Sequence, residues 1–549
     1  MANPAKGALF IMLNTTYTLG LLAIFAAGVP SNLPSLPLPE SERDELASEI
    51  RWDARAAEHL LNRAGFGASP DEIDEVVEAG LEATVVSMLE RAQQGDLPFF
   101  AQRLSPRDGV MLGEEMSEQE LDAEMEMDFD ASDEQRDQLK KEFRNLNEKQ
   151  LDRFLNWWVA NMRRGTNPLG ERMTLFWHGW FTSSYRDVKS SFEMIQQNEL
   201  FRAHGLGRFG NLVKRVVRDP AMLEYLDNDS NRRKRPNENL ARELMELFTL
   251  GEGQYTEKDV KEAARAFTGW TDVRGTFEIK ERQHDKRRKT ILGQTGKFDG
   301  DDVIEILLEQ EACSRFLSSG MIHYFEGKQP DEARLENYAA FMIESEYDIA
   351  LFLKRLFTDP SFYRSEVVGT RIAGPLDFLI GSTRRLNIEP PARALQLGSA
   401  ALGQRLLDPP NVRGWEGGTA WVTTGTLMMR SNLVGSYLGL VDTKEELSDR
   451  DRAMRALRRA NWGPNLNFSA HLERAGIHRD AEVVEFMLET LLAITPSPES
   501  IAVSKNYLGS VRAGAALADG ELLTAGEDSE LWLRKLAHII LSLPDANLN

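Results

Sequence analysis

Beyond residue 48 the apolar residues recur almost everywhere at helical spacing, and that periodicity is what most restricts the fold. Ala56, His59, Leu60, Ala64 and Phe66 keep it until Gly65-Phe66-Gly67 interrupts. Ser69 as an N-cap and Pro70 in the first turn then open a helix expected to run through Leu89. Amphipathic segments resume at 134–163, 168–177, 191–201, 237–250 and 257–269, and continue to 529–541. Strand-like alternation is confined to about 271–280 and 289–292, and no repeat period stands out. The expected fold class is therefore all-α: an irregular bundle of many short helices with long functional loops, carrying at most a minor β-hairpin near 271–292. A single large helical domain over 49–549 is within reach of a 549-residue chain. Cys313 is the sole cysteine, so an internal disulfide framework and a cysteine-rich zinc site are excluded.

The first 48 residues read differently. Lys6 is followed by an uncharged stretch from 7 to 39 with apolar runs at 8–13 and 21–29, then small residues and a Pro/Ser-rich linker at 30–48. A cation, an apolar run and small residues in that order are the layout of a secretory signal, and about 20 apolar residues also suffice to anchor a chain in a membrane. Residues 1–29 are thus expected to be a signal peptide or membrane anchor. The protein is expected to be extracytoplasmic: periplasmic, secreted or N-terminally anchored, with membrane contact only through that segment.

Charge narrows the partners. The chain holds 65 Lys and Arg against 86 Asp and Glu, a net charge of −21. Such an acidic balance argues against nucleic acid as the main partner, since neutralising phosphates requires surplus cations. Twelve of the carboxylates fall within 114–137, beside one cation, Arg136. An acidic, mobile, solvated insertion is expected at about 110–137.

No Walker loop, G-x-S-x-G or H-E-x-x-H is present, so candidate sites come from four polar segments. In the aromatic run 175–181, His178 is either a satisfied core histidine or a base or metal ligand oriented by a carboxylate. The second segment begins Asp227-Asn228-Asp229-Ser230-Asn231. Its oxygens fall at about positions 1, 3, 5 and 12 of a calcium loop, but Arg232 replaces the turn glycine and three further cations follow. An Asx-rich turn leading into the next helix, with Asn237 and Asn239 at its start, is the expected reading. On that helix Glu238, Arg242 and Glu246 share one ridge and Glu243 projects beside Glu246. Exposed, they are surface ion pairs. Buried, Glu243 and Glu246 sharing Arg242 form an acid/base pair or a metal site.

The third segment, Gln283-His284-Asp285-Lys286-Arg287-Arg288-Lys289, offers a metal-binding His284 or a basic cluster for a polyanion such as an acidic glycan. Beyond it, Asp301 or Asp302 is expected to cap the next helix. The fourth is a Pro/Gly-rich loop, 408–421, whose Arg413, Trp415 and Trp421 suit sugar stacking or a rigid lid.

Taken in order, Leu60-Leu61-Asn62-Arg63-Ala64-Gly65-Phe66-Gly67, Phe176-Trp177-His178-Gly179-Trp180-Phe181 and Asn237-Glu238-Asn239-Leu240-Ala241-Arg242-Glu243-Leu244 carry a resemblance. So do Tyr255-Thr256-Glu257-Lys258-Asp259-Val260, Ala264-Arg265-Ala266-Phe267-Thr268-Gly269-Trp270 and the 410–421 loop. Together they resemble a bacterial family known as domain of unknown function 1800, over roughly residues 52–545. The resemblance implies an exported protein, often encoded beside a sulfatase-like protein, and implies no reaction. The family commonly has His-x-His in the aromatic motif, where this chain has His178 and then Trp180, so a metal site using both histidines would lack one ligand.

Two functions remain open. One is a binding or assembly protein acting on a surface polymer or with the sulfatase-like partner. The other is a polysaccharide-acting hydrolase or lyase with Glu243 and Glu246 as acid and base, Arg242 tuning them, and His178 or His284 assisting. Its binding residues would be Asn237, Asn239, Arg413, Trp415 and Trp421. Glycosidic cleavage places two carboxyls about 5–9.5 Å apart on either side of a bond, and two carboxyls three apart on one helix suit that poorly. A divalent metal held by Glu243, Glu246, His178 and His284 is the alternative cofactor. The enzymatic reading requires those four to converge on an open pocket.

Overall fold

Helices start where the sequence supplies a side-chain oxygen for the unpaired amides of a first turn. In the computed structural model, Asp53 caps Ala54–Ala64, and Ser69 with Glu72 forms a reciprocal capping box at Pro70–Ala79. The helix expected to run through Leu89 is divided: Gly80, at φ 85°, ends one helix and a second spans Leu81–Gln94. Thr256 and Asp259 box the start of Glu257–Ala266. At Gly300–Leu308 the cap is Asp299, with Asp302 as its reciprocal partner. Asp301, the other residue expected there, instead takes an ion pair from Arg218.

The structure describes residues 50–95, 99, 133–273, 275–441 and 451–549. The expected N-terminal segment, its linker and most of the acidic run at 110–137 lie outside the described residues. Arg51–Asn549 form one compact unit, dominated by helices. None of the described helices is long and apolar enough to cross a membrane. Strand structure is limited, among the described residues, to two antiparallel pairs: Trp270–Asp272 with Phe277–Ile279, and Lys289–Ile291 with Gln294–Gly296. The second pair extends past the region where alternation was readable.

The longest helix, Asp133–Arg164, buries Phe154, Trp158, Val159 and Met162. Next to it Pro168–Trp180 is buried from Leu169 through His178. Trp177 and Phe181 stack at 5.5 Å, Phe181 reaches Phe201 at 6.2 Å, and Phe248 meets Phe181 edge-on at 5.2 Å. Ring burial of this kind contributes more than its area, by about 0.5–1.5 kcal/mol per pair.

Buried arginines tie distant segments together. Arg63 is fully buried and donates to the carbonyls of Phe325, Val367 and Asn549 at 2.7–2.9 Å. Arg172 reaches Gly65 O and Asp377, and Arg371 reaches the same carboxylate at 3.1 Å. The two guanidiniums hold the Asp377 carboxyl below its ordinary value despite burial. Gly67 lies at φ +89°, and a Cβ there would meet Gly381 Cα at 2.9 Å. The 60–67 motif is accordingly an architectural joint: a guanidinium hub followed by a turn that only glycine fits.

Candidate functional site

The polar helix begins as an ordinary one and ends as something else. Asn239–Glu243 is α-helical and Leu244–Thr249 is a π turn, in which Leu250 N–H donates to Met245 O at 2.9 Å. Thr249 Oγ1 donates to Leu244 O, and Trp180 Nε1 donates to Phe248 O, so side chains take up carbonyls that the widened turn leaves. Single π turns inside helices are frequent at functional sites.

Of the expected ridge of Glu238, Arg242 and Glu246, the Glu238–Arg242 pair forms and the Arg242–Glu246 pair does not. Arg242 forks onto Glu257 at 2.7 and 2.8 Å and reaches Glu238 at 3.1 Å. Glu246 instead accepts from Tyr255 Oη at 2.9 Å and from Arg413 at 3.0 Å, and Arg413 also holds Glu252 at 2.7 Å. These pairs are largely solvent-exposed, and each is worth about 0–1 kcal/mol. Glu243 differs: it is half-buried and has no hydrogen bond or ion pair among the described residues. Burial, with the Glu246 charge beside it, pushes its carboxyl up. Burial and the Asp187 and Glu243 carboxylates likewise push the Tyr225 phenol up to about 12.

His178 is sealed. Its side chain is fully buried, with Trp158 at 6.1 Å and Trp415 at 5.6 Å edge-on to the imidazole. Nε2 accepts the Leu407 N–H at 3.2 Å, which puts the ring proton on Nδ1. Burial alone lowers its pKa to about 4. It is thus a core histidine rather than an open base or ligand, though not a fully satisfied one: its Nδ1 has no hydrogen-bond partner among the described residues.

His284 is elsewhere, with Nδ1 2.9 Å from Thr268 O. Its neighbour Asp285 is buried, and hydrogen bonds from Arg287 and Arg265 hold that carboxyl well below the usual range. No three His, Cys, Asp or Glu side chains among the described residues come together as a metal site. The set Glu243, Glu246, His178 and His284 is therefore not assembled: the two glutamates share a surface, one histidine is enclosed in the core, and the other bonds a separate loop.

The remaining candidates build loops. Asn237 Nδ2 donates to Asp227 O, Asp227 Oδ2 and Ser230 Oγ at 2.9–3.0 Å, while its Oδ1 accepts from Asn239 N–H at 2.9 Å. That is the expected Asx turn. In the 408–421 loop Gly414 has φ +77°, and a Cβ there would strike Gly179 O at 2.6 Å, so the loop lies directly on the end of the aromatic helix. Trp415 packs on His178 and the core. Trp421, half-buried, closes the turn Gly418–Trp421. Sequence reasoning missed Tyr255, Glu252 and Glu257. Tyr255 directly precedes a recognisable capping box, yet nothing local shows that its hydroxyl reaches Glu246.

Two cavities among the described residues lie away from these side chains. A groove of about 370 Å³ runs between Arg55, Glu58, Ile73 and Phe486, remote in sequence from every candidate. An enclosed space beside Asn62 and Asp377 measures about 10 Å³, room for one water.

Fold and site together define an irregular helical protein bearing an exposed carboxylate–guanidinium–tyrosine network on a π turn. The chain belongs to the family described as protein of unknown function (DUF1800), whose model matches residues 59–548. No curated protein and no solved structure matches it.

Proposed function

We propose that this chain is a recognition or assembly protein acting outside the cytoplasm on a surface polymer, rather than a hydrolase. The observation that carries the reading is that its motif side chains are engaged with one another. Glu246 is clamped by Tyr255 and Arg413, Arg242 by Glu257 and Glu238, and His178 by the Leu407 amide. A base must reach its proton and a metal needs several converging donors. The order of cation, apolar run and small residues within 6–28 supports an extracytoplasmic setting, where a sulfatase-like protein is the other candidate partner.

One observation favours a second reading. Glu243 is a half-buried carboxyl with a raised pKa and no bonded partner, as a general acid of a polysaccharide lyase or hydrolase would be. The deciding experiment is metal analysis by mass spectrometry of the purified full chain, wild type beside Glu243→Ala/Glu246→Ala, combined with assays for polysaccharide cleavage and binding. The recognition reading expects binding without cleavage and no stoichiometric metal in either protein. Stoichiometric metal lost in a folded variant, or cleavage that Glu243→Gln abolishes, would overturn it.

A further inference from the structure

Away from the carboxylate network the surface changes sign. Arg232-Arg233-Lys234-Arg235 forms a tight antiparallel turn, with Arg232 N–H to Arg235 O at 3.3 Å and Arg235 N–H to Arg232 O at 2.8 Å. A second basic loop, carrying Lys280 and Arg282, is fastened to it. Arg233 N–H donates to Gln283 O at 2.8 Å, while Gly269 N–H donates to Asn231 O and Gly269 O accepts from Lys280 N–H. Gly269, at φ +80°, permits that closeness: a Cβ there would lie 2.7 Å from Lys280 O and 3.0 Å from His284 N.

Arg232, Arg233, Lys234, Arg235, Lys280 and Arg282 are all exposed, and none has an ion pair or side-chain hydrogen bond among the described residues. The acids within these loops are already matched: Glu281 pairs with Lys286 at 2.6 Å, and Asp285 with Arg287 and Arg265. Elsewhere on this −21 chain Arg186, Arg242 and Arg413 each have a carboxylate partner, whereas the exposed Arg458 and Arg459, on a separate helix, have none among the described residues. Six unmatched cations fixed on two mutually bonded loops repel one another and gain nothing from the fold.

We propose that this paired-loop surface binds a linear polysaccharide bearing carboxylate or sulfate groups; the inference rests on the recognition reading and gives it a ligand class and a site. Four of the six cations are arginines, whose planar forks match carboxylate and sulfate oxygens. The patch is small and its host acidic. Beyond about 8–10 Å the surrounding negative charge is screened at physiological salt, so a sparsely charged chain making a few contacts is tolerated. A nucleic acid, with a phosphate at every residue, would extend its charge over the acidic remainder, and these six positions provide no aromatic platform for bases. Ile279 is the one exposed large apolar residue on the adjoining hairpin, too little to insert into a bilayer.

The test is titration of the full chain, at 50 and 200 mM salt, with four probes: hyaluronate, which carries a carboxylate on alternate sugars, lightly sulfated dextran, neutral dextran and single-stranded DNA of matched length. Arg233→Ala/Lys234→Ala/Arg282→Ala removes three of the six charges without touching a buried group. Arg458→Ala/Arg459→Ala, at the end of Arg452–Arg459, controls for loss of exposed charge. The expected result is binding of a charged polysaccharide that weakens at least tenfold in the triple variant, with a shallower salt dependence, and is unchanged in the control. Equal weakening in both variants, or none in the triple variant, would remove the site. DNA bound more tightly than either charged polysaccharide would overturn the ligand class. Neutral dextran bound while both charged polymers are refused would refute this inference yet leave the recognition reading standing. Cleavage of any probe would remove that reading itself.

Discussion

Asp219 should be a protonated acid in the folded protein, and replacing it by asparagine should flatten the dependence of stability on pH. Two contacts favour the carboxylate: Gln197 Nε2 donates to Oδ2 at 2.7 Å, and the Met222 N–H donates at 3.0 Å as Asp219 caps Pro220–Tyr225. Burial opposes them, with Asp272 adding its repulsion, and burial wins, raising the pKa from 3.8 to about 7. The folded state therefore binds the proton more tightly than the unfolded chain does. Stability from this group is complete below the unfolded value and is lost as pH rises through the interval to about 7, at about 1.36 kcal/mol per pH unit. Across the interval the loss is on the order of 4 kcal/mol. Asparagine keeps an acceptor oxygen for both donors and cannot ionise. One kcal/mol moves Tm by about 2–4 °C in a domain of 150–250 residues, and by roughly half that at this length. The variant should thus gain about 4–8 °C over wild type at pH 8 and differ little at pH 4, read by thermal melts over that range. Parallel curves, or a variant less stable at every pH, would mean that Asp219 is ionised in the fold and that the cap outweighs burial.

Three further outcomes follow from the same geometry. In a double-mutant cycle on Glu246→Gln and Arg413→Ala, urea unfolding should give a coupling below about 1 kcal/mol, as for exposed pairs; more than 2 would mark the network as buried in solution. His178→Phe keeps a ring but strands the Leu407 N–H, at a cost of about 1–3 kcal/mol. In carbon-13 histidine spectra the wild-type His178 should stay neutral down to about pH 4. Because that folded value is depressed, its contribution to stability is held above pH 6.5 and lost on acidification, and a titration midpoint near 6.5 would contradict burial. Arg63→Lys cannot span the three carbonyls that the guanidinium reaches, so soluble yield or stability should fall by 3 kcal/mol or more, whereas a silent substitution would mean the hub is not formed.

Local signals in the sequence carried the fold class well. Helical spacing, Ser69 with Pro70 and the Asx-rich turn at Asn237 act within a few residues, where one-dimensional reading has access to the physics. Gly80 shows the limit: a single glycine inside a periodic stretch is tolerated in many helices and here terminates one. The site was legible only in part, because its contacts are remote. Arg413 reaches Glu246 across 167 positions, and Arg63 reaches its carbonyls across 262, 304 and 486. Helical spacing placed Arg242 beside Glu246, but the π turn shifts the register, so each takes a different partner.

The aromatic motif and the carboxylate network are mechanically joined, which bears on how any loss of function in either should be interpreted. Leu407 sits at φ 56°, a left-handed conformation that costs a branched residue about 1–3 kcal/mol and persists only where neighbours hold it. Here the holders are His178, which accepts its amide, and Tyr185, whose N–H donates to its carbonyl at 2.8 Å. Asp408 is then fixed by Ser184 and Arg186, Gly414 rests on Gly179, Trp415 covers the imidazole, and Arg413 arrives at Glu246. Truncating His178 would thus displace Arg413 from the surface network without His178 ever meeting a ligand. A binding defect in such a variant therefore identifies a positioning residue unless Arg413→Ala leaves binding intact. In that case the loop's other contacts, or the ring itself, must carry the effect.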